Sequence, residues 1–371
     1  MRPAFSSRRH AIGFSGLLIA LLALPGLSAI TGLRGDRRDL YSDTPVNAEP
    51  LRWDQYQIFS ERRDIDLAFV GSSRLMFGVN TPYLQAQLSR RLGRPATVVS
   101  IGYGFSGYDG LYLIARDLLS HRRVRTMVIY DEYNRFPNTP FLDHPGVAAG
   151  YLFRWGDEPA AVAGLSAEDK LRLYAVSVLQ APRQLAKPLH PDAVFTLEGR
   201  GGDLNNPGVR AGDQVAQLGA IRSHLNYIWK PDFVARGAPA APSGAATYHP
   251  GETGSLFAFS GPPAPPYERH FARRLAELCQ ADGVQLLMLA PPTYAGRGLS
   301  YLPERERPED IFGRPVPLVG IPGARLFAGV RPAELPQFFE DDVHLNANGQ
   351  DLFTAAIAPL LLQLYDTHGK E

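Results

Sequence analysis

A single cysteine, Cys279, excludes an internal disulfide and a cysteine-based metal cluster. Its place in a helical pattern suits a small core residue. Charge of neither sign is in excess: 38 lysines and arginines face 37 aspartates and glutamates, a net charge of +1. No basic block follows the first residues, so no nucleic-acid partner is expected. The nine histidines form no H-E-x-x-H motif or comparable cluster. Neither metal catalysis nor a cofactor is therefore expected, and His121, His190, His224, His249 and His270 read as surface or insertion residues. The glycine-rich GRGGD at residues 199–203 lacks the Lys-Ser/Thr of a phosphate loop and opens no helix after a strand. No internal repeat is present. What is left, with 45% hydrophobic and 20% charged residues over 371 positions, is an ordinary globular chain of one large domain or two small ones.

Charge is also missing from residues 11–33, AIGFSGLLIALLALPGLSAITGL, a run long enough to cross a hydrocarbon core as a helix. A cleaved signal peptide has a shorter apolar region of about 7–15 residues. An uncleaved single-pass anchor in the inner membrane is expected. Arg2, Arg8 and Arg9 ahead of it place the N-terminus in the cytoplasm and the body on the periplasmic side. Residues 1–34 are thus a cytoplasmic tip and anchor, and residues 35–63, polar and carrying Pro45 and Pro50, a stalk. The body occupies residues 64–371.

Strands and helices then alternate. Buried-type strands are expected at residues 65–70, 96–101, 126–130 (TMVIY) and 284–290 (VQLLMLA), with a weaker one at 324–327. Between them fall helices: one starting at Thr81-Pro82 and ending near Gly93, and others at residues 111–121, 267–281 and 349–365. Short βαβ connections imply a parallel sheet covered by helices. Residues 135–266 break the pattern. Their best helix is at 167–185, and a Pro/Gly/Ala-rich tract follows, so they read as an insertion on the ligand side of the sheet.

Residues 65–80, IDLAFVGSSRLMFGVN, deliver Ser72, Ser73 and Arg74 to a turn at a strand's carboxyl end. In an open α/β sheet, ligands bind outside that end. A serine hydroxyl needs a base to be nucleophilic at neutral pH. Residues 335–350, LPQFFEDDVHLNANGQ, offer one: His344 follows Asp341 by three positions, so a carboxylate folded back on Nδ1 holds the tautomer while Nε2 faces a serine. Taken alone, the same spacing also fits solvated polar residues, Asp341, Asp342 and His344, ahead of a helix. For the oxyanion, the Ser73 amide and a glycine from Gly102 or Gly104 in GYGFSGYDG are the fitting backbone donors, because glycine permits close approach; the same glycines equally fit a plain turn.

GSSR after the first strand, a glycine-rich turn after the second, and FEDDVHLNANG before the last helix resemble the SGNH/GDSL hydrolase superfamily. Within it the chain is similar to membrane-anchored acyltransferases such as the D-alanine-transfer protein of teichoic acid synthesis and the alginate O-acetyltransferase proteins. The resemblance covers the chain after the anchor except the insertion. It implies a three-layer α/β/α sandwich in which Ser73 is the nucleophile, His344 the general base and Asp341 its orienter. Two positions depart from the family. Ser72 stands where the hydrolase branch has aspartate, and DEYNRF follows the third strand where that family has G-x-N-D. Asn134 is there the side-chain oxyanion donor, unless Asp131 or Glu132 takes the strand end, where a carboxylate would repel an oxyanion. Arg74 is a candidate contact for an anionic or carbonyl group.

A single anchor and no visible donor site point, through the resemblance, to a multi-pass membrane-bound O-acyltransferase as partner and an exported envelope polysaccharide as acceptor. The expected function is O-acyl transfer, chiefly O-acetyl. The alternatives are an esterase or deacetylase of the same glycan, and a non-catalytic glycan-binding subunit using Tyr103, Phe105, Tyr108, Trp155 and Trp229 as stacking surfaces.

Overall fold

The computed structural model describes residues 7–31, 37–41, 51–102, 107–130, 158, 163–186, 244–251, 256–339 and 341–367. They divide into two compact units, Met1–Asn47 with Phe141–Arg200, and Ala48–Pro140 with Gly201–Glu371. In chain order the elements are α1 (Arg8–Thr31), α2 (Leu51–Phe59), β1 (Ile65–Gly71), α3 (Ser73–Gly78), α4 (Thr81–Leu92), β2 (Val98–Gly102), α5 (Tyr108–Leu119) and β3 (Val124–Tyr130). After them come α6 (Ala167–Ala186), β4 (Ala246–Tyr248), α7 (Pro266–Ala281), β5 (Gln285–Ala290), α8 (Pro308–Phe312), β6 (Leu318–Gly320), α9 (Gly323–Leu326) and α10 (Ala347–Thr367).

The larger unit is a mixed α/β fold around an open six-stranded sheet in the order β2-β1-β3-β5-β6-β4. Only β4 runs antiparallel, at the edge against β6. The chain steps from β1 outward to β2 and returns to β3 on the other side of β1. The order therefore reverses beside β1, where such sheets leave a crevice. β1 is buried along its whole length, as a central parallel strand covered on both faces must be.

Period-two alternation divides the sheet's side chains between two cores. Leu67, Phe69, Val128, Tyr130, Leu287, Leu289 and Val319 join Leu84 and Leu88 of α4 and Phe353, Ile357 and Leu361 of α10. The intervening residues meet α2, α5 and α7; Cys279 Sγ of α7 lies 4.0 Å from Met127 Sδ of β3. Burial pushes that thiol up to about 12, consistent with a core cysteine. Helix α4 starts where Pro82 suggests, with Asn80 as its cap: the Asn80 Oδ1 accepts the Tyr83 amide at 3.0 Å, and Gly93 ends the helix with φ +65°.

Three features differ from the sequence reading. Residues 324–327, expected as a strand, lie instead in and just beyond helix α9; the strand is β6, which starts six and ends seven residues earlier, between Pro317 and Pro322. Pro322 cannot continue the strand ladder, and its carbonyl accepts the Arg325 and Leu326 amides at 2.9 Å, opening the helix. Residues 51–59, read as stalk, form α2, with Ile58, Phe59, Asp54 and Gln57 buried. Residues 246–248, within the tract read as insertion, supply the edge strand β4. At the opposite edge the Val98 amide, on the outward side of β2, donates to Gln85 Oε1 of α4 at 3.1 Å.

In the smaller unit α1 is 24 residues long, and Ile12, Leu17 and Ile19 along it are exposed. The Tyr174 hydroxyl of α6 donates to the Leu22 carbonyl of α1. Among the described residues no helix is long and apolar enough to cross a membrane.

Candidate active site

β1 ends at Gly71, and the chain turns through Ser72 into α3, so Ser73 is the first helical residue at the switch point of the sheet. Ser72 is buried, and its carbonyl accepts the Leu75 amide at 3.0 Å; it is a turn residue. Ser73 Oγ lies 2.8 Å from His344 Nε2. His344 Nδ1 lies 2.7 Å from Asp341 Oδ2, which fixes the ring with its Nδ1 proton toward the carboxylate and Nε2 open to accept the serine hydroxyl. The other oxygen of Asp341 accepts the Val343 and His344 amides at 2.8 and 2.7 Å. Burial alone would raise this carboxyl; the His344 ring and the two amides outweigh it and hold it below its ordinary 3.8. The structure thus brings Ser73, His344 and Asp341, spread over some 270 positions, into one hydrogen-bonded line.

The loop that carries His344 is held on several sides. Phe339 and Leu345 form an antiparallel bridge across its base. Asn346 Nδ2 donates to the Gln337 carbonyl at 2.7 Å, while its Oδ1 accepts the Asn348 and Gly349 amides at 3.0 and 3.2 Å, capping α10. The Tyr294 amide, beyond β5, donates to the Asp342 carbonyl at 3.0 Å. A Cβ at Gly349 would lie 2.0 Å from the Phe338 carbonyl oxygen, so only glycine lets α10 start this close to the loop. Phe77 of α3 stands edge-on to the imidazole, 5.4 Å between ring centres.

Two buried side chains of α10 fix the distance between the halves. Gln350 Nε2 donates to the Val79 carbonyl at 2.9 Å, and Thr354 Oγ1 accepts the Asn80 amide at 2.8 Å. Both reach the segment just after α3 and so tie α10 to the end of the serine helix. Sequence reading missed this pair and Phe77. The available signal was a polar pair, Gln350 and Thr354, at helical spacing among the apolar positions of the last helix.

The remaining expected residues fare differently. The Gly102 amide, read as an oxyanion donor, turns instead toward α2, where Asp54 Oδ1 accepts it at 3.4 Å. Burial raises the Asp54 carboxyl well above its ordinary value despite that bond. Glycine is required at 102 for packing: a Cβ there would sit 1.6 Å from the Gly71 carbonyl oxygen of β1. Gly104 and Asn134, with Asp131 and Glu132, lie outside the described residues. Arg74 stacks 4.5 Å over the Tyr130 ring and donates from Nη2 to the Pro291 carbonyl at 3.1 Å. Tyr108 is fully buried, edge-on to Phe312, and offers no stacking surface; Tyr103, Phe105, Trp155 and Trp229 lie outside the described residues.

Compared with known proteins, the chain matches no family model and no curated protein.

Proposed function

We propose that this chain is a serine-dependent O-acyltransferase with Ser73 as nucleophile, His344 as general base and Asp341 as its orienter. The observation that carries the proposal is the continuous line from Ser73 Oγ through both nitrogens of His344 to Asp341, with bonds of 2.8 and 2.7 Å. No other pair of side chains in it is needed to make a serine nucleophilic.

The steps follow from that geometry. Ser73 Oγ attacks the carbonyl carbon of an acyl ester or thioester while His344 Nε2 takes its proton. The tetrahedral oxyanion is met by the Ser73 amide, which as the first of α3 has no acceptor within the helix. Collapse breaks the bond to the donor's leaving group, which receives the proton from His344, and leaves acyl-Ser73. A glycan hydroxyl then attacks that acyl carbon, loses its proton to His344, and departs as the acylated glycan when Ser73 Oγ is reprotonated. The resemblance to the SGNH/GDSL superfamily and to its membrane-anchored acyltransferases supplies the wider proposal. In it the sheet is the centre of a three-layer α/β/α sandwich, residues 11–33 anchor the body on the periplasmic face of the inner membrane, and a multi-pass O-acyltransferase presents the acyl group.

The test is Ser73→Ala in cells, read as acyl content of the envelope polysaccharide together with the melting temperature of the purified variant. Loss of acylation with an unchanged melt is expected; full acyl content overturns the proposal. Ester hydrolysis is the second reading, favoured by the exposure of the Asp341 side chain, 52%, which leaves the site open to water. Purified protein with a nitrophenyl ester separates them: fast acid release independent of added glycan supports hydrolysis, acceptor-dependent turnover supports transfer.

A further inference from the structure

The guanidinium of Arg74, one residue after Ser73, is turned back onto the ends of the sheet. It stacks 4.5 Å over the ring of Tyr130, the last residue of β3, and from Nη2 donates at 3.1 Å to the carbonyl of Pro291, the first residue after β5. In the sheet order β1-β3-β5 this one side chain leaves the end of β1, crosses the end of β3 and reaches the end of β5. Both contacts at once need a planar fork, which lies flat on an aromatic face while its edge donates; a lysine ammonium has no such plane.

The segment after β5 is in turn fixed to the loop of the base. The Tyr294 amide donates to the Asp342 carbonyl at 3.0 Å, and the Tyr294 ring stands edge-on to Phe339, 5.4 Å between centres. A closed circuit results. It runs from Ser73 to Arg74 along the chain, across to Pro291, along to Tyr294, across to Asp342, along to His344 and back to Ser73 Oγ through the 2.8 Å bond. Arg74 supplies the one link in it that a side chain outside the triad makes. Gln350 and Thr354 hold the chain at the far end of α3, where Gly78 also packs on Pro291, a Cβ there lying 3.4 Å from the proline ring. A helix held only at its far end can pivot; the Arg74 clamp is on the first turn, where Ser73 is.

We infer that Arg74 is a positioning residue and not a substrate contact: its clamp on Tyr130 and Pro291 keeps Ser73 Oγ in line with His344 Nε2. This rests on the reading of Ser73 as the nucleophile of acyl transfer.

Burst kinetics of the full chain with p-nitrophenyl acetate, alongside melting temperatures, test it. A displacement near 1 Å costs about 100-fold, so Arg74→Gln is expected to slow acylation at saturating ester by about 10–100-fold and to leave the half-saturating ester concentration unchanged. Arg74→Lys, which keeps the charge without the plane, is expected to lose about tenfold. A cavity of about 260 Å³, lined by Arg74, Tyr130, Pro291 and Arg305 among others, leaves room for a free guanidinium ion in Arg74→Ala. That ion replaces the charge but not the tether, so millimolar guanidinium is expected not to restore the rate. Parental acylation in the glutamine or the lysine variant, a change confined to the half-saturating concentration, or rescue by guanidinium overturns the inference. No acylation of the parent removes the acyl-transfer reading and the role of Arg74 with it, whereas an acylated parent with undiminished variants removes the role of Arg74 alone.

Discussion

Gln350 and Val79 are joined by a buried hydrogen bond of 2.9 Å, with 271 positions between them. Val79 is five residues beyond Arg74 and Gln350 six beyond His344, so this bond and its neighbour from Asn80 to Thr354 set the gap across which Ser73 and His344 meet. The distance between nucleophile and base is decided outside the triad.

Thr354→Val and Gln350→Leu are therefore expected to lower the rate of Ser73 acylation by about 10–100-fold, since a displacement near 1 Å is worth about that much. Each leaves a buried backbone group unbonded and is expected to reduce stability by about 1–3 kcal/mol. Burst kinetics with a nitrophenyl ester and urea unfolding measure the two effects.

Asp341→Asn is expected to cut acylation by about 10⁴-fold while the melting temperature changes little, because the amide favours the wrong imidazole tautomer. The parent carboxyl is depressed below its ordinary 3.8, so its contribution to stability is complete above that value and is lost as the pH falls through the lower folded-state value. Stability profiles of parent and variant should run parallel at neutral pH and converge only in acid.

Asp109, at the start of α5, gives the opposite sign. Burial pushes its carboxyl up to about 7, against the bonds it accepts from the Gly110 amide and the Tyr267 hydroxyl. The folded state keeps the proton that the unfolded chain loses above 3.8, so stability falls as pH rises from there to about 7 and is level beyond. Asp109→Asn keeps an oxygen for Gly110 and is expected to flatten this slope, making the variant the more stable protein near about pH 8 in urea titrations.

Gly102→Ala is expected to yield no folded protein, or one destabilised well beyond the about 1–3 kcal/mol typical of overpacking, because the clash is with the backbone of β1 and no rotamer relieves it. Circular dichroism and soluble yield report the outcome.

The line from Ser73 to Asp341 was legible because each end sits in a strong local pattern: a buried strand ending in GSSR, and D-x-x-H ahead of a capped helix. The central parallel strands were legible for the same reason, as unbroken apolar runs. β6 was not, since a three-residue strand in the four positions between two prolines carries no periodicity. Gly102 was misread because a glycine needed for a close backbone contact and one needed to aim an amide look identical in sequence. Gln350 and Thr354 looked like ordinary polar helix positions; what makes them different is Val79 and Asn80 arriving from the other end of the chain. The cavity joins Arg74, Tyr130, Pro291 and Arg305, which only the β1-β3-β5-β6 order brings side by side.

The side chains that meet β2 have a consequence for self-association. A parallel strand at a sheet's margin shows alternate amides to any passing peptide, and here those of Val98, Ser100 and Gly102 face outward. Gln85 takes the first and Asp54 the last. At the far margin β4 extends for only three residues. Among the described residues both borders are thus poor templates for another strand, which disfavours edge-to-edge aggregation and strand addition by a second chain.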